Sequence, residues 1–214
     1  MNRALDNLEK FLHEWNEHPE SAHYPVTIEC ALVHAQFETI HPFLDGNGRL
    51  GRLLIALLLH ERRILDQPLL YLSLYLKAHR LEYYDRLTAV RKNGDWGAWT
   101  TFFLKGIEQT AEEAVETAMQ VIAFREQAIR TATSLGSTEM KLAEFLFGHP
   151  LTDIQTAQEH FGVSYNTAAG AIAKLENAKL VRETTGKQRN RVFRFAAYLE
   201  LFEEPVTRGP RASP

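Results

Sequence analysis

The chain has 214 residues, 45% hydrophobic and 24% charged, with a formal net charge of −3. That length admits one large domain, or a medium domain with a small one, and the apolar content suffices for a buried core. The slight negative charge excludes a polycation that coats nucleic acid, so any basic surface must be local. Cys30 is the single cysteine, which excludes an internal disulfide. Set in an apolar helical stretch, it reads as a buried structural thiol in a reducing compartment. The N-terminus, Met-Asn-Arg-Ala-Leu-Asp, lacks the charged-then-apolar pattern of a secretory signal. The longest aliphatic run, Leu53 to Leu59, is far too short to cross a bilayer. The expectation is a cytoplasmic protein with no membrane partner.

Leu5, Leu8, Phe11, Leu12 and Trp15 recur at helical spacing and predict a helix over 4–16. Asn16 to Pro25 is polar and turn-rich, with Pro19 and Pro25. Residues 26–40 predict a helix apolar on more than one face (Ile28, Ala31, Leu32, Val33, Ala35, Phe37), as expected inside a bundle. A loop from His41 to Gly48 leads into a leucine-rich helix over 49–63. Further helices are predicted at 68–79, 79–92, 95–110 and 111–130, with Asn93-Gly94 as a turn. Residues 1–130 therefore read as an all-α bundle.

The pattern changes beyond that. Residues 131–136, rich in Ser and Thr, read as a linker. Helices are predicted at 138–148, 152–161 and 165–178, with Phe161-Gly162-Val163-Ser164 as a short helix-turn-helix connection. Leu180-Val-Arg-Glu-Thr and Arg191-Val-Phe-Arg-Phe alternate apolar and polar residues around Thr185-Gly186-Lys187, the signature of a hairpin. Residues 137–203 thus read as a small winged-helix domain, and 204–214 as a disordered tail. The fold class is mainly α. Lys174 and Lys179 belong to the end of the last predicted helix, and the hairpin holds Arg182, Lys187, Arg189, Arg191 and Arg194 against only Glu183. A local basic stripe suits phosphate-backbone contacts and makes Lys187, Arg189 and Arg191 candidate DNA-binding residues. Winged helices also serve as protein-interaction or dimerisation modules, so both uses stay open.

The chemistry concentrates in His41-Pro-Phe-Leu-Asp-Gly-Asn-Gly-Arg-Leu-Gly-Arg52. Gly46 and Gly48 allow a close backbone approach just before a helix whose first amides have no internal acceptor. Such an end attracts phosphate. Arg49 and Arg52, three residues apart, share a helix face and can each grip phosphate through two hydrogen bonds. Asp45 supplies a carboxylate of the kind that holds Mg2+ beside phosphates. His41 supplies an imidazole, which accepts a proton near neutral pH. On composition alone, a tight turn with solvated arginines competes with this reading.

The same twelve residues resemble the Fic family signature His-Pro-Phe-x-Asp/Glu-Gly-Asn-Gly-Arg-x-x-Arg without a departure. The flanking Ala35-Gln-Phe-Glu-Thr-Ile40, Pro68-Leu-Leu-Tyr-Leu-Ser73, Glu82-Tyr-Tyr84 and Gly94-Asp-Trp-Gly-Ala-Trp99 are also similar to Fic proteins. The resemblance covers residues 5–130. It implies a Fic-type helical bundle that transfers AMP from ATP to a Ser, Thr or Tyr hydroxyl of a target protein. His41 would deprotonate that hydroxyl, and Asp45 would hold Mg2+. Gly46, Asn47, Gly48, Arg49, Gly51 and Arg52 would form the phosphate site. Pro42 would stiffen the loop and Phe43 would anchor it in the core. Tyr84 would line the adenine pocket, although Tyr83 and Tyr84 read equally as bundle core. Near Arg91, where some relatives carry Asn, the sequence differs. Asn16 to Thr27 would form a flap that aligns the target by strand addition, with a plain surface loop as the competing reading.

Many Fic proteins carry an inhibitory Ser/Thr-x-x-x-Glu-Gly/Asn helix, and no such pattern occurs in this chain. The expectation is that Arg52 is free and that the chain modifies itself, the inhibitory helix either being lost from a truncated form or supplied in trans by a segment or protein. The intact Gly46-Asn47-Gly48 favours AMP transfer over phosphorylation. His13 and His18 lack metal-site spacing, and His34 reads as packed in the bundle. The alternative function is a nucleotide-sensing DNA-binding regulator. The partners considered are a target protein, duplex DNA, a second copy of the chain, and that inhibitor in trans.

Overall fold

The structure, a computed structural model, describes residues 2–17, 24–67 and 70–202. The first helices are α1 (Asn2–Glu17), α2 (Val26–Ile40), α3 (Asn47–Glu61), α4 (Leu72–Ala78), α5 (Arg80–Asn93) and α6 (Trp96–Leu135). Then come α7 (Ser137–Gly148), β1 (Leu151–Asp153), α8 (Ile154–Phe161), α9 (Tyr165–Asn177), β2 (Arg182–Glu183), β3 (Val192–Arg194) and α10 (Ala196–Glu200). The chain divides into two compact units, Met1–Ala114 and Val115–Pro214. Among the described residues no helix is long and apolar enough to cross a membrane.

In the first unit α2 is the central helix, as its apolar residues on several faces require. Cys30, Ala31, Val33, His34 and Ala35 are all buried. Trp99 and Phe103 of α6 pack against it, and the Trp99 indole N–H donates to the Ala31 carbonyl at 2.9 Å. The buried residues of α3 (Asn47, Gly51, Ile55, Leu58, Leu59) recur at helical spacing and form one inward face. Glu29 of α2 is fully buried and pairs with Arg62, just past α3, at 2.8 and 3.2 Å. This two-bond charge pair ties the start of α2 to the end of α3.

In the second unit, Leu142, Leu146, Ala168, Ile172 and Leu175 enclose Phe193 and Phe195. The sheet order is β1-β3-β2, antiparallel throughout, with Thr152 and Glu183 both opposite Phe193. Asp153 caps α8 by accepting from the Thr156 amide at 2.7 Å. Gly162 ends α8 at φ 62°, and Ser164 caps α9 by accepting from the Thr167 amide at 3.1 Å. The Glu183 carboxylate gathers the Thr185 and Gly186 amides and so fixes the hairpin turn.

Several boundaries differ from the sequence reading. The helices expected at 95–110 and 111–130 are one helix, α6, and residues 131–135 of the expected linker belong to it. Good helix formers run through 111–116 without a breaker. The hydroxyls of Thr133 and Ser134 bond back to the Ile129 and Thr131 carbonyls, so these residues stay helical. The helix stops where Gly136 takes φ 146°. Residues 151–153 form β1 instead of opening a helix, because Asp153 caps α8 and its predecessors pair with β3. Residues 18–23, within the expected flap, and 204–214, the expected tail, lie outside the described residues.

Candidate active site

The site begins where α2 must stop. Pro42 has no amide hydrogen and disfavours helical geometry in the residue before it. His41 ends the helix in the left-handed conformation, φ 49° and ψ 58°, and its amide still donates to the Phe37 carbonyl at 2.9 Å. The chain leaves α2 at His41 and re-enters a helix at Asn47, after Gly46 at φ 83°.

Asn47 closes the intervening loop. Its carboxamide oxygen accepts from the Phe43 amide at 2.9 Å and its nitrogen donates to the Phe43 carbonyl at 2.6 Å. The side chain is buried, so the loop is held from inside by a group that mimics a strand pairing. Phe43 does not anchor the loop in the core as the resemblance implies: its residue is 52% exposed, and the anchor is Asn47. The Asn47 side chain is thereby committed to the loop, leaving its backbone amide for an anion.

The first bond within α3 is donated by Leu50 to the Gly46 carbonyl at 3.0 Å. The amides of Asn47, Gly48 and Arg49 precede it and have no acceptor within the helix. Asp45 and Arg49 meet at 3.3 Å on the surface. Among the described residues no ion pair or hydrogen bond occupies Arg52. Its guanidinium lies over Gly48: a Cβ placed there would be 3.3 Å from Arg52 Nη1.

Gly51, grouped above with the phosphate site, faces α2 instead. A Cβ at Gly51 would come within 2.7 Å of Glu38 Oε1 and 3.2 Å of the His34 ring. Its carbonyl accepts from His34 Nδ1 at 3.0 Å. A carbonyl cannot donate, so Nδ1 carries the proton and Nε2 accepts from the Tyr83 hydroxyl, also at 3.0 Å. Burial holds the His34 ring neutral by lowering its pKa to about 4, and burial likewise pushes the Tyr83 phenol upward. Tyr83 is core. Tyr84 is half exposed, with the Arg80 guanidinium 5.7 Å from its ring centre.

Glu38 and Arg91 are residues to which the sequence reading gave no role, Arg91 being noted only as a position that differs from relatives. Glu38 is buried, and burial raises its carboxyl against the opposing pull of His41, Arg52 and Arg91. Arg91 of α5 donates to the Glu38 carbonyl at 2.8 Å and to the Thr39 hydroxyl at 3.2 Å. It thus caps the C-terminal turn of α2 immediately before His41. The only available signal was the odd arginine at a position where relatives vary.

The candidate DNA-binding residues lie in the second unit. Lys187 and Arg189 are exposed in the hairpin loop. Arg191 is engaged by Glu176 at 3.5 Å and lies over the Phe193 ring at 4.8 Å. Arg182 pairs with Glu200 and Lys174 with Glu139, so acidic partners already balance much of the basic stripe.

One short loop thus joins a left-handed histidine to a helix start that carries two arginines on the same helix. Residues 3–59 match the model of the Fic/DOC family. The chain is 40% identical over 55 residues to a probable protein adenylyltransferase of Aquifex aeolicus, across 26% of this chain and 17% of that protein. A Fido domain-containing protein of Dictyostelium discoideum is 49% identical over 41 residues, 19% of this chain and 28% of its own. The protein adenylyltransferase Fic of Drosophila virilis is 44% identical over 52 residues, 24% of this chain and 10% of its own. The chain therefore spans well under a third of the length of these relatives. A crystal structure of a Fic family protein from Desulfovibrio desulfuricans G20 aligns with a TM-score of 0.45 and 22% identity, over 88% of this chain and 55% of that one.

Proposed function

We infer that the chain is a protein adenylyltransferase that moves AMP from Mg-ATP to a hydroxyl of a target protein, itself included. The observation that carries this reading is the placement of His41 and the α3 N-terminus at the two ends of one short loop braced by Asn47. The relatives that bear the adenylyltransferase name support it.

The phosphates of ATP would lie across the amides of Asn47, Gly48 and Arg49, where unpaired N–H groups and the helix dipole favour negative charge. Arg52 has no competing partner among the described residues and would hold the outer phosphates. Arg49 would leave its surface contact with Asp45 for phosphate. His41 would take the proton from the target hydroxyl. The hydroxyl oxygen would bond to the α-phosphorus as the bond to the bridging oxygen of pyrophosphate breaks, and pyrophosphate would leave with that electron pair. Catalysis here is positioning and charge stabilisation.

Mg2+ fits the donor chemistry of the site. Among the described residues no three His, Cys, Asp or Glu side chains converge to hold a metal alone. Asp45 is a single exposed carboxylate beside the phosphate-binding amides. One carboxylate, phosphate oxygens and waters are the ordinary Mg2+ set. When bound, the ion would neutralise charge building on the phosphates.

The test is self-modification. Wild type and His41→Ala are incubated with Mg-ATP, and intact-mass spectrometry looks for an AMP adduct. An adduct on the wild type alone supports the reading. An equal adduct on the His41→Ala protein would remove His41 from the mechanism.

A further inference from the structure

Glu38 carries an oddity that the adenylyl-transfer reading leaves unexplained. Its residue is 7% exposed, and its Oε1 has no hydrogen-bond partner. Buried carboxylate oxygens without partners are uncommon and call for a physical reason. The oxygen does not face the apolar core. It sits over the glycine face of α3, 2.7 Å from where a Cβ of Gly51 would be and 3.8 Å from where a Cβ of Gly48 would be. Arg52 Nη1 lies 3.3 Å from that same point at Gly48. The orphan acceptor and the unengaged guanidinium therefore approach one spot, and the glycine at 51 leaves room for the Glu38 oxygen.

A guanidinium is planar and has five N–H groups on more than one edge. A carboxylate that takes the inner edge leaves the outer edge free and correctly turned for phosphate. Of the polar groups near Glu38, His34 is occupied by Gly51 and Tyr83, and Arg91 by the Glu38 carbonyl and Thr39. His41 and Arg52 also act on the carboxylate, and among the described residues Arg52 is the unengaged donor that shares the contact point at Gly48 with it.

We propose that Glu38 is a positioning residue for Arg52: its Oε1 accepts from the inner edge of the guanidinium when the outer edge holds the phosphates of ATP. Glu38 touches neither substrate nor reacting atoms. The proposal rests on the adenylyltransferase reading and adds to it a buried acceptor that orients the second arginine of the motif. What matters is the position of the oxygen, more than its charge.

Two conservative variants separate these. Glu38→Gln keeps an oxygen at the same reach and loses the charge, whereas Glu38→Asp keeps the charge and draws the oxygens back by one carbon. Mg-ATP affinity of the full chain is measured by calorimetry, with a thermal melt of each variant. Glu38→Gln should bind within about threefold of wild type, and Glu38→Asp about tenfold more weakly. Arg52→Ala should weaken binding to a similar degree, and Glu38→Asp should add nothing on that background. Wild-type affinity in Glu38→Asp, or full additivity with Arg52→Ala, would overturn the proposal while leaving the nucleotide site standing. Markedly tighter binding by Glu38→Gln would also overturn it, because Glu38 would then be repelling phosphate. Failure of the wild type to bind Mg-ATP would instead remove the adenylyltransferase reading, and this proposal with it.

Discussion

Asn47 grips Phe43 by both ends of its carboxamide, accepting from the amide at 2.9 Å and donating to the carbonyl at 2.6 Å. The residue that opens α3 thereby holds the loop that follows His41. Replacing Asn47 with Ala removes both bonds and leaves the loop backbone without its partner. The expected loss of stability is about 1–3 kcal/mol. On the proposed reading the loop links His41 to the phosphate site, and AMP transfer should fall about tenfold or more. Urea unfolding and a transfer assay on the same preparation check the two effects. Unchanged transfer would mean that the brace is not needed for alignment.

Gly51 is a packing glycine. Gly51→Ala places a methyl 2.7 Å from Glu38 Oε1 and 3.2 Å from the His34 ring. The helices must part, or Glu38 must move. A cost of about 1–3 kcal/mol is expected, with weakened Mg-ATP binding because Arg52 shares that contact region. Denaturant unfolding and calorimetry test it. Gly94→Ala is unsuitable as a control, since Gly94 sits at φ 67°. Gly97→Ala is suitable, because a Cβ there meets nothing within 4 Å.

Glu29 and Arg62 form a charge pair sealed inside the first unit, with side chains 0% and 8% exposed. Glu29→Ala removes the buried carboxylate that binds Arg62 twice, leaving the longer contacts to Glu61 at 3.7 Å and to the Leu12 carbonyl at 3.5 Å. A loss of about 3–5 kcal/mol is expected. The double variant Glu29→Leu with Arg62→Met should recover much of it. Equilibrium unfolding of both variants decides the point, and a loss below about 1 kcal/mol would show the pair to be solvated.

The organisation of the first unit was legible because helical periodicity and the Pro and Gly punctuation act locally. The start of α2 after Pro25 and the turn at Gly94 follow from such signals. The loop from His41 to Gly48 and the helix after it were legible from the same local signals. What depended on distant partners was not legible. Phe43 looked like an anchor because it is large and apolar, yet the buried Asn47 does that work. Gly51 looked like phosphate chemistry, and its reason is a glutamate thirteen residues earlier on α2. β1 was missed because three residues gain strand character only through β3, some forty positions on.

His34 makes stability depend on pH. Its folded pKa is about 4 against an ordinary 6.5. On acidification the unfolded chain takes up the proton first. The contribution of the neutral ring is complete above pH 6.5, declines as pH falls from 6.5 to 4, and levels off below. The whole change is about 3 kcal/mol. Glu38, raised by burial, acts in the opposite sense, contributing stability at low pH that is lost as pH rises. Comparison with His34→Gln isolates the histidine. Urea unfolding across this range should show a steeper acid loss in wild type than in the variant, and parallel curves would exclude the buried neutral ring.

The central claim is that this chain moves the α-phosphoryl group with its adenosine, using His41. The most direct measurement incubates the purified chain with Mg2+ and ATP labelled at either the α- or the γ-phosphate, beside His41→Ala. Covalent label should appear on wild-type protein from α-labelled ATP, not from γ-labelled ATP, and not on His41→Ala. Label arriving from the γ-phosphate, or equal labelling of the His41→Ala protein, would contradict it.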